Sequence, residues 1–352
     1  MTTRVQLSGL ILASVAGLAS AALPTPTRAA ENLLFNCFFP PQHYVCREMV
    51  PELGKRIAKA TGGRVTITTP PKSVAPPPDQ YDAVVNGVAD GALQFNTFIA
   101  NKVAGVQVAH LPFVGLEASE QASVALWRTY QRFFADKGEY EGVVLLSFWV
   151  SNGADFFSTI DKPIMTVEDI KTRKMWGLPG TTANLLKETG APVVSGPAVQ
   201  MLEIISKGVV DGYAGVPVSS AQEFKLVPYT KSVTFFKAKV FQPSFSFFVN
   251  EKKWGKISAA DQAAIRTALG EDFTRWAGRL QDSKHEANKA KVLGAGVKRI
   301  DASDAELAKL KALGQPVIDA WIQRVDGMGV DGKAALAYYQ QVLGQASASV
   351  KK

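Results

Sequence analysis

Residues 205–217 read ISKGVVDGYAGVP: a helix end, a glycine, a hydrophobe, an Asp-Gly turn and a short apolar strand. Residues 84–95, VVNGVADGALQF, run through the same order of features. Two copies of one helix-turn-strand unit predict two similar α/β lobes rather than one large domain.

Each unit continues as alternating strands and helices. NLLFNCFF reads as a first strand, and beyond Pro40 and Pro41 an amphipathic helix carries Val45, Met49, Leu53, Ile57 and Ala58 on its apolar positions. GGRVTITTPP alternates like a strand bounded by Gly and Pro, and a helix from about Ser119 to Phe134 leads into the very apolar strand GVVLLSFWV. After Ser151 and Asn152 the pattern restarts with DFFST, a helix opened by Thr166, a short strand at KMW and a helix near Thr181. Such alternation implies βαβ units and mostly parallel sheets, an α/β fold. From about Ser258 to Leu293 an almost uninterrupted helical pattern, weakly broken at Gly270 and Gly278, would extend roughly 50 Å and could brace both lobes. A strand at VKRI, a helix opened by Ser303 and a last helix near Ala334 follow. The expected division is residues 31–150, with part of the C-terminal region, for lobe I, 151–250 for lobe II, and 251–352 for the long bridging helix and C-terminal helices.

Residues 1–30 read as a cleaved signal peptide: Arg4 gives a positive start, LSGLILASVAGLASAAL an apolar run, and small residues near Ala29 and Ala30 a cleavage site. No second run approaches the roughly 20 apolar residues of a membrane helix, so the mature chain is expected in the periplasm. Phe35 and Asn36 before Cys37 are the wrong context for lipidation. The formal charge of +8 drops to +6 without Arg4 and Arg28, and the remaining cations are scattered among acids, which argues against a nucleic-acid partner. Cys37 and Cys46, the only cysteines, are either a disulfide or two inert thiols in an oxidising compartment. Enzyme chemistry finds no constellation. His43, His110 and His285 lack metal-ligand spacing, His43 and Cys46 lack a third group, and neither GLPG nor the Asp-Gly turns belong to a phosphate loop. No cofactor motif is present.

Taken together, the segments resemble the solute-binding subunits of tripartite ATP-independent periplasmic (TRAP) transporters over nearly all the mature chain. GGRVTITTPP is similar to the family's Gly-Arg-Val strand, VAHLPFVG to its Leu-Pro-Phe segment, and DKPIMTVEDIKTRKMWGLPG to its Pro, Asp-Leu-Lys-Gly-x-Lys-x-Arg signature. GVVDGYAGVP matches its Val-Val-Asp-Gly element, and FFVNEKKWGKIS its Val-Asn followed by a helix. The resemblance implies a monomeric two-lobed periplasmic binding protein that closes on a small molecule and docks, closed, on transporter membrane subunits. Service to an ATP-driven importer or a sensor kinase is the related alternative.

The chain departs from the family where substrate is held. Trp176 occupies the place of the Arg that clamps a carboxylate, and Asp155 aligns with a second Arg after the hinge. An acid and rings in place of two cations lead to the expectation of a small amine, amino alcohol or quaternary ammonium, with Phe38, Phe95 and Tyr213 as ring faces and Gln94, Asn96 and Ser244 as polar contacts. Beside this stands the plainer reading that strand aromatics, Phe148 and Trp149 included, are core, and that Asp155 pairs with a lysine. A neutral, aromatic or carboxylate ligand, the last held by Arg47 or Lys225, is the alternative.

Overall fold

The computed structural model describes residues 1–2 and 30–349; residues 3–29 of the expected signal peptide lie outside them. Along the described chain the strands are β1 (Glu31–Asn36), β2 (Val65–Thr68), β3 (Gly91–Phe95), β4 (Val143–Val150), β5 (Asp155–Ser158), β6 (Met175–Gly177), β7 (Val193–Ser195), β8 (Gly212–Val216), β9 (Ser232–Phe235), β10 (Ser244–Asn250) and β11 (Lys298–Asp301). They form two sheets, ordered β2-β1-β3-β10-β4 and β11-β9-β5-β8-β6-β7. The βαβ units pair in parallel, whereas β10 runs antiparallel to β3 and β4, and β5 antiparallel to β8 and β9.

The repeated motif builds the same junction in both lobes. Helix Gln80–Val85 ends, Gly87 turns the chain at φ 76°, and Asp90 precedes β3. Helix Met201–Ser206 ends, Gly208 turns at φ 63°, and Asp211 precedes β8. Asp90 Oδ2 accepts from the Leu34 N–H at 2.9 Å while its own N–H donates to Leu34 O at 2.8 Å. Asp211 does the same with Lys174, at 3.0 and 2.8 Å. The following glycine is fixed by crowding: a Cβ on Gly91 would lie 2.7 Å from the Phe35 ring, and one on Gly212 would lie 2.6 Å from Phe157 O. The Asp-Gly pair is thus a clamp on the neighbouring parallel strand, and the turn belongs to the glycine three residues earlier.

Two expected boundaries change. β10, the last strand of the segment 151–250, returns to the first sheet, so that lobe II ends earlier and takes β11 from the C-terminal region instead. The long helix is two helices, Ala259–Ala268 and Gly270–Gly294, because Leu269 (φ −103°, ψ −98°) and Gly270 (φ 36°) break it. The second piece, 25 residues or about 37 Å long, still spans the lobes. It packs on helix Ser119–Phe133 of the first lobe, with Gly278 against the Glu120 backbone, and His285 Nδ1 lies 3.2 Å from Ser219 Oγ of the second. One apolar core runs from Phe35 and Phe247 in the first sheet to Trp176 and Tyr213 in the second. No described helix is long and apolar enough to cross a membrane.

Candidate functional site

Strands β1, β3, β4, β6 and β8 point their C-terminal ends or the residues just beyond them into the gap between the sheets, the usual place for a ligand in open α/β folds. The gap holds a slot of about 560 Å³ of empty space, mouth included.

The first-lobe wall begins just beyond β1. Cys37 and Cys46 form a disulfide, Cα atoms 5.8 Å apart, that ties the strand end to the start of the first helix. The loop so closed presents Phe38, Phe39, His43 and Tyr44 to the slot. Phe95 at the end of β3, Phe98, and Trp149 stacked on Phe245 (centroids 4.3 Å apart, planes 15° apart) complete this wall. The second lobe contributes Leu178, Val199, Val216, Phe224 and, on its short helix, Ser220 and Glu223. Among the described residues no lysine or arginine lines the slot.

Its polar groups are few. His43 lies between Phe39 and Phe224, ring centroids 4.5 and 5.8 Å away. Its Nδ1 accepts from the Val45 N–H at 3.3 Å, so the neutral ring carries its proton on Nε2. That Nε2 is 3.5 Å from Glu223 Oε2, within ion-pair reach but outside hydrogen-bond geometry, and has no hydrogen-bond partner. Trp149 Nε1 is also buried without one. A buried donor left unmatched costs about 1–3 kcal/mol, so two in one slot are a specific feature of this site. Tyr44 donates from its hydroxyl to Gln281 of the long helix, and burial, then Glu223, Glu48 and Asp282, push its ionisation well above the ordinary range.

Of the sequence-derived residues, Phe38 and Phe95 line the slot. Trp176 does not: it is fully buried on β6, in register with Tyr213 and Val194. Tyr213 stacks on Phe157 (4.3 Å, 6°) and its hydroxyl lies 2.8 Å from Thr230 Oγ1. Asp155 is spoken for, with Oδ1 2.6 Å from Lys239 Nζ and Oδ2 accepting from the Val218 N–H at 3.1 Å. The expected counter-ion for an amine is therefore neutralised inside the fold, as the lysine-pairing alternative has it.

The three polar candidates are equally engaged. Gln94 accepts from the Tyr81 N–H at 2.9 Å and donates to Phe95 O at 3.0 Å. Asn96 donates to Ser244 Oγ at 2.9 Å, and Ser244 lies 2.7 Å from His110 Nε2. Burial drives the His110 imidazole down to about 3, so it is neutral at ordinary pH. Arg47 pairs with Glu48 at 3.0 Å on the surface, and neither Arg47 nor Lys225 lines the slot.

Sequence reading missed Phe39, His43, Tyr44, Phe98, Glu223, Phe224 and Phe245, and took Trp149 for core. One signal was available: CFFPPQHYVC packs four aromatic or imidazole rings between the two cysteines. Nothing local marks Glu223 or Phe224. The arrangement suits a flat apolar body between rings from both lobes, with one polar end at His43, Trp149 and Glu223.

Comparisons with known proteins bear on the family and the fold. The family model for bacterial extracellular solute-binding proteins, family 7 (DctP), matches residues 36–324. The outer membrane transporter protein TsaT of Comamonas testosteroni is 34% identical over 321 residues, 91% of this chain and 94% of that one. A TRAP periplasmic solute-binding protein of Bordetella bronchiseptica, solved with (R)- and (S)-mandelate bound, is 27% identical with a TM-score of 0.84, covering 90% of this chain and 99% of its own. A TRAP solute-binding protein of Rhodoferax ferrireducens T118 with copurified benzoate has the same fold at 24% identity and TM-score 0.79, over 91% of this chain and 99% of that one. The chain belongs to the family 7 bacterial extracellular solute-binding proteins, the solute-binding subunits of TRAP transporters.

Proposed function

We propose that the protein captures a small aromatic acid outside the cytoplasmic membrane, as an exported monomer with residues 1–30 its signal peptide, and hands it to TRAP membrane subunits. The observation that carries the aromatic part of the ligand is the slot's lining, ring faces from both lobes, and the acid follows the mandelate and benzoate held by the relatives. Magnitudes favour ring recognition. Burying a phenyl-sized body is worth about 2–3 kcal/mol, and each well-placed ring contact adds roughly 0.5–1.5 kcal/mol. The mandelate bound to the Bordetella relative is a ligand of this shape. The amine reading loses its basis, since Asp155 is paired with Lys239 and Trp176 is outside the slot.

Thermal shift with benzoate, mandelate and 3-hydroxybenzoate against succinate, pyroglutamate and choline tests it. A true ligand at a hundred times its Kd stabilises the fold by about 2.7 kcal/mol. Aromatic acids are expected to raise Tm and the others not. Stabilisation by choline or succinate with none by any aromatic acid would overturn the reading.

A further inference from the structure

We infer that the acidic end of the ligand is received by two ring N–H donors, Trp149 Nε1 and His43 Nε2, and that the His43–Glu223 pair takes up a proton as the anion binds. The inference rests on the aromatic-acid reading and says how such an acid is held without a guanidinium.

Two observations converge. Among the described residues, several buried side-chain polar atoms lack a partner, and of these His43 Nε2 and Trp149 Nε1 belong to residues lining the slot. Both rings border the same neighbours: Phe39 lies 4.5 Å from the His43 ring and 6.3 Å from Trp149, and Tyr44 lies 4.6 and 6.4 Å from them. Two unmatched donors around one corner call for an acceptor, and a carboxylate supplies two oxygens. An ammonium, which only donates, satisfies neither.

Charge decides the second half. Glu223 lies in the same corner, 3.5 Å from His43 Nε2, and a second carboxylate there repels it. The groups facing Glu223 are His43 and Tyr44 from the disulfide loop and Asn288, which donates to Oε1 at 3.3 Å, from the long helix. Glu48 and Asp282 act on the same corner through Tyr44, and Glu48 is already paired with Lys284 at 2.7 Å. No lysine or arginine is in ion-pair reach of Glu223 among the described residues. The compensating charge must therefore be a proton. The place for it is the His43–Glu223 pair, whose Nε2 and Oε2 lie 3.5 Å apart.

Titration calorimetry of benzoate, benzamide and benzylamine at pH 6, 7 and 8, in buffers of different ionisation enthalpy, tests this. Benzoate is expected to bind with uptake of about one proton and to lose up to about tenfold in affinity per pH unit, while benzamide shows neither effect. Glu223→Gln should flatten the benzoate profile and bind it at pH 8 more tightly than the parent. Trp149→Phe keeps a ring and removes the N–H; it should weaken benzoate about tenfold while the melting curve shows a folded protein. His43→Leu should act likewise. Benzoate binding without proton uptake, a Glu223→Gln profile like the parent's, or full affinity in Trp149→Phe would overturn the inference. Benzylamine binding more tightly than benzoate would sink it and leave the ring-lined slot standing. If none of the three binds, the aromatic reading itself fails.

Discussion

Asp155 and Lys239 form a buried ion pair, Oδ1 to Nζ 2.6 Å, where the chain enters the second sheet. Lys239 also reaches Glu117 at 2.6 Å, and Glu117 in turn meets His285 and Lys289 of the long helix, each at 3.1 Å. Four segments are thereby tied: β5, the approach to helix Ser119–Phe133, the β9–β10 connection that carries Lys239, and the long helix. Burial alone would push the Glu117 carboxyl up, but the His285 hydrogen bond and the Lys239 and Lys289 charges hold it well below the carboxylate range. For Asp155 burial wins and the carboxyl sits above its ordinary value despite Lys239.

Lys239→Met leaves the buried Asp155 without a cation, while Glu117 keeps His285 and Lys289, and should cost about 3–5 kcal/mol in urea unfolding. Asp155→Asn keeps the Lys239–Glu117 contact and should cost less, about 1–3 kcal/mol, with aromatic-acid affinity unchanged. A Lys239→Met protein as stable as the parent would show that the hinge does not depend on the network.

Asp169 gives a pH signature. It closes a capping box with Thr166, accepts from the Met165 and Thr166 N–H groups at 3.1 and 3.0 Å, and meets Lys162 at 2.8 Å. Burial raises its ionisation, but Lys162 and these donors outweigh that and hold it at about 2. A folded-state value below the unfolded one stabilises above the unfolded pKa, so the contribution is complete above about pH 4 and lost as pH falls toward 2. Solvent screening at the exposed Lys162 end limits it to about 1 kcal/mol. Asp169→Asn should lower Tm at pH 7 and make little difference at pH 2; equal losses at both would discount the charge.

The two Asp-Gly elements made the lobes legible, because a clamp on a parallel strand needs that residue order wherever it recurs. The site was less legible, and for identifiable reasons. Trp176 was located by its motif, but a sequence position does not say that an indole in place of a guanidinium turns into the core. Asp155 found its partner 84 residues away, beyond any local pattern. His43 and Trp149 looked structural one at a time; only the fold shows that both lie at one corner with unmatched N–H groups.

The disulfide loop should matter twice. A ten-residue loop, Cys37 to Cys46, stabilises by about 2–3 kcal/mol if its effect is chain entropy. It also holds Phe38, Phe39 and His43 against the slot. Cys46→Ser is therefore expected to lower Tm and weaken benzoate, and reductant should do both to the parent but neither to the variant. Unchanged affinity in the reduced parent would make the disulfide a matter of stability alone.

Gly180 tests whether the lobes must meet. It precedes helix Thr181–Glu188 of the second lobe at φ 86°, ψ −134°, and a Cβ there would lie 2.5 Å from Thr97 Cγ2, which follows β3 in the first. Gly180→Ala thus meets two penalties of different kinds. The backbone conformation disfavours any L side chain whether the lobes are together or apart, so that part appears as lost stability. The clash with Thr97 exists only when the lobes are together, so that part appears as lost affinity, chiefly through faster dissociation. Thr97→Ser removes the offending methyl and keeps the hydroxyl that lies 3.2 Å from His110 Nδ1. Gly180→Ala should weaken aromatic-acid binding at least about tenfold, Thr97→Ser should bind normally, and the double variant should recover most of the affinity while keeping the lowered Tm. If the double variant binds no better than Gly180→Ala, the loss comes from local strain and the Thr97 contact does not limit closure.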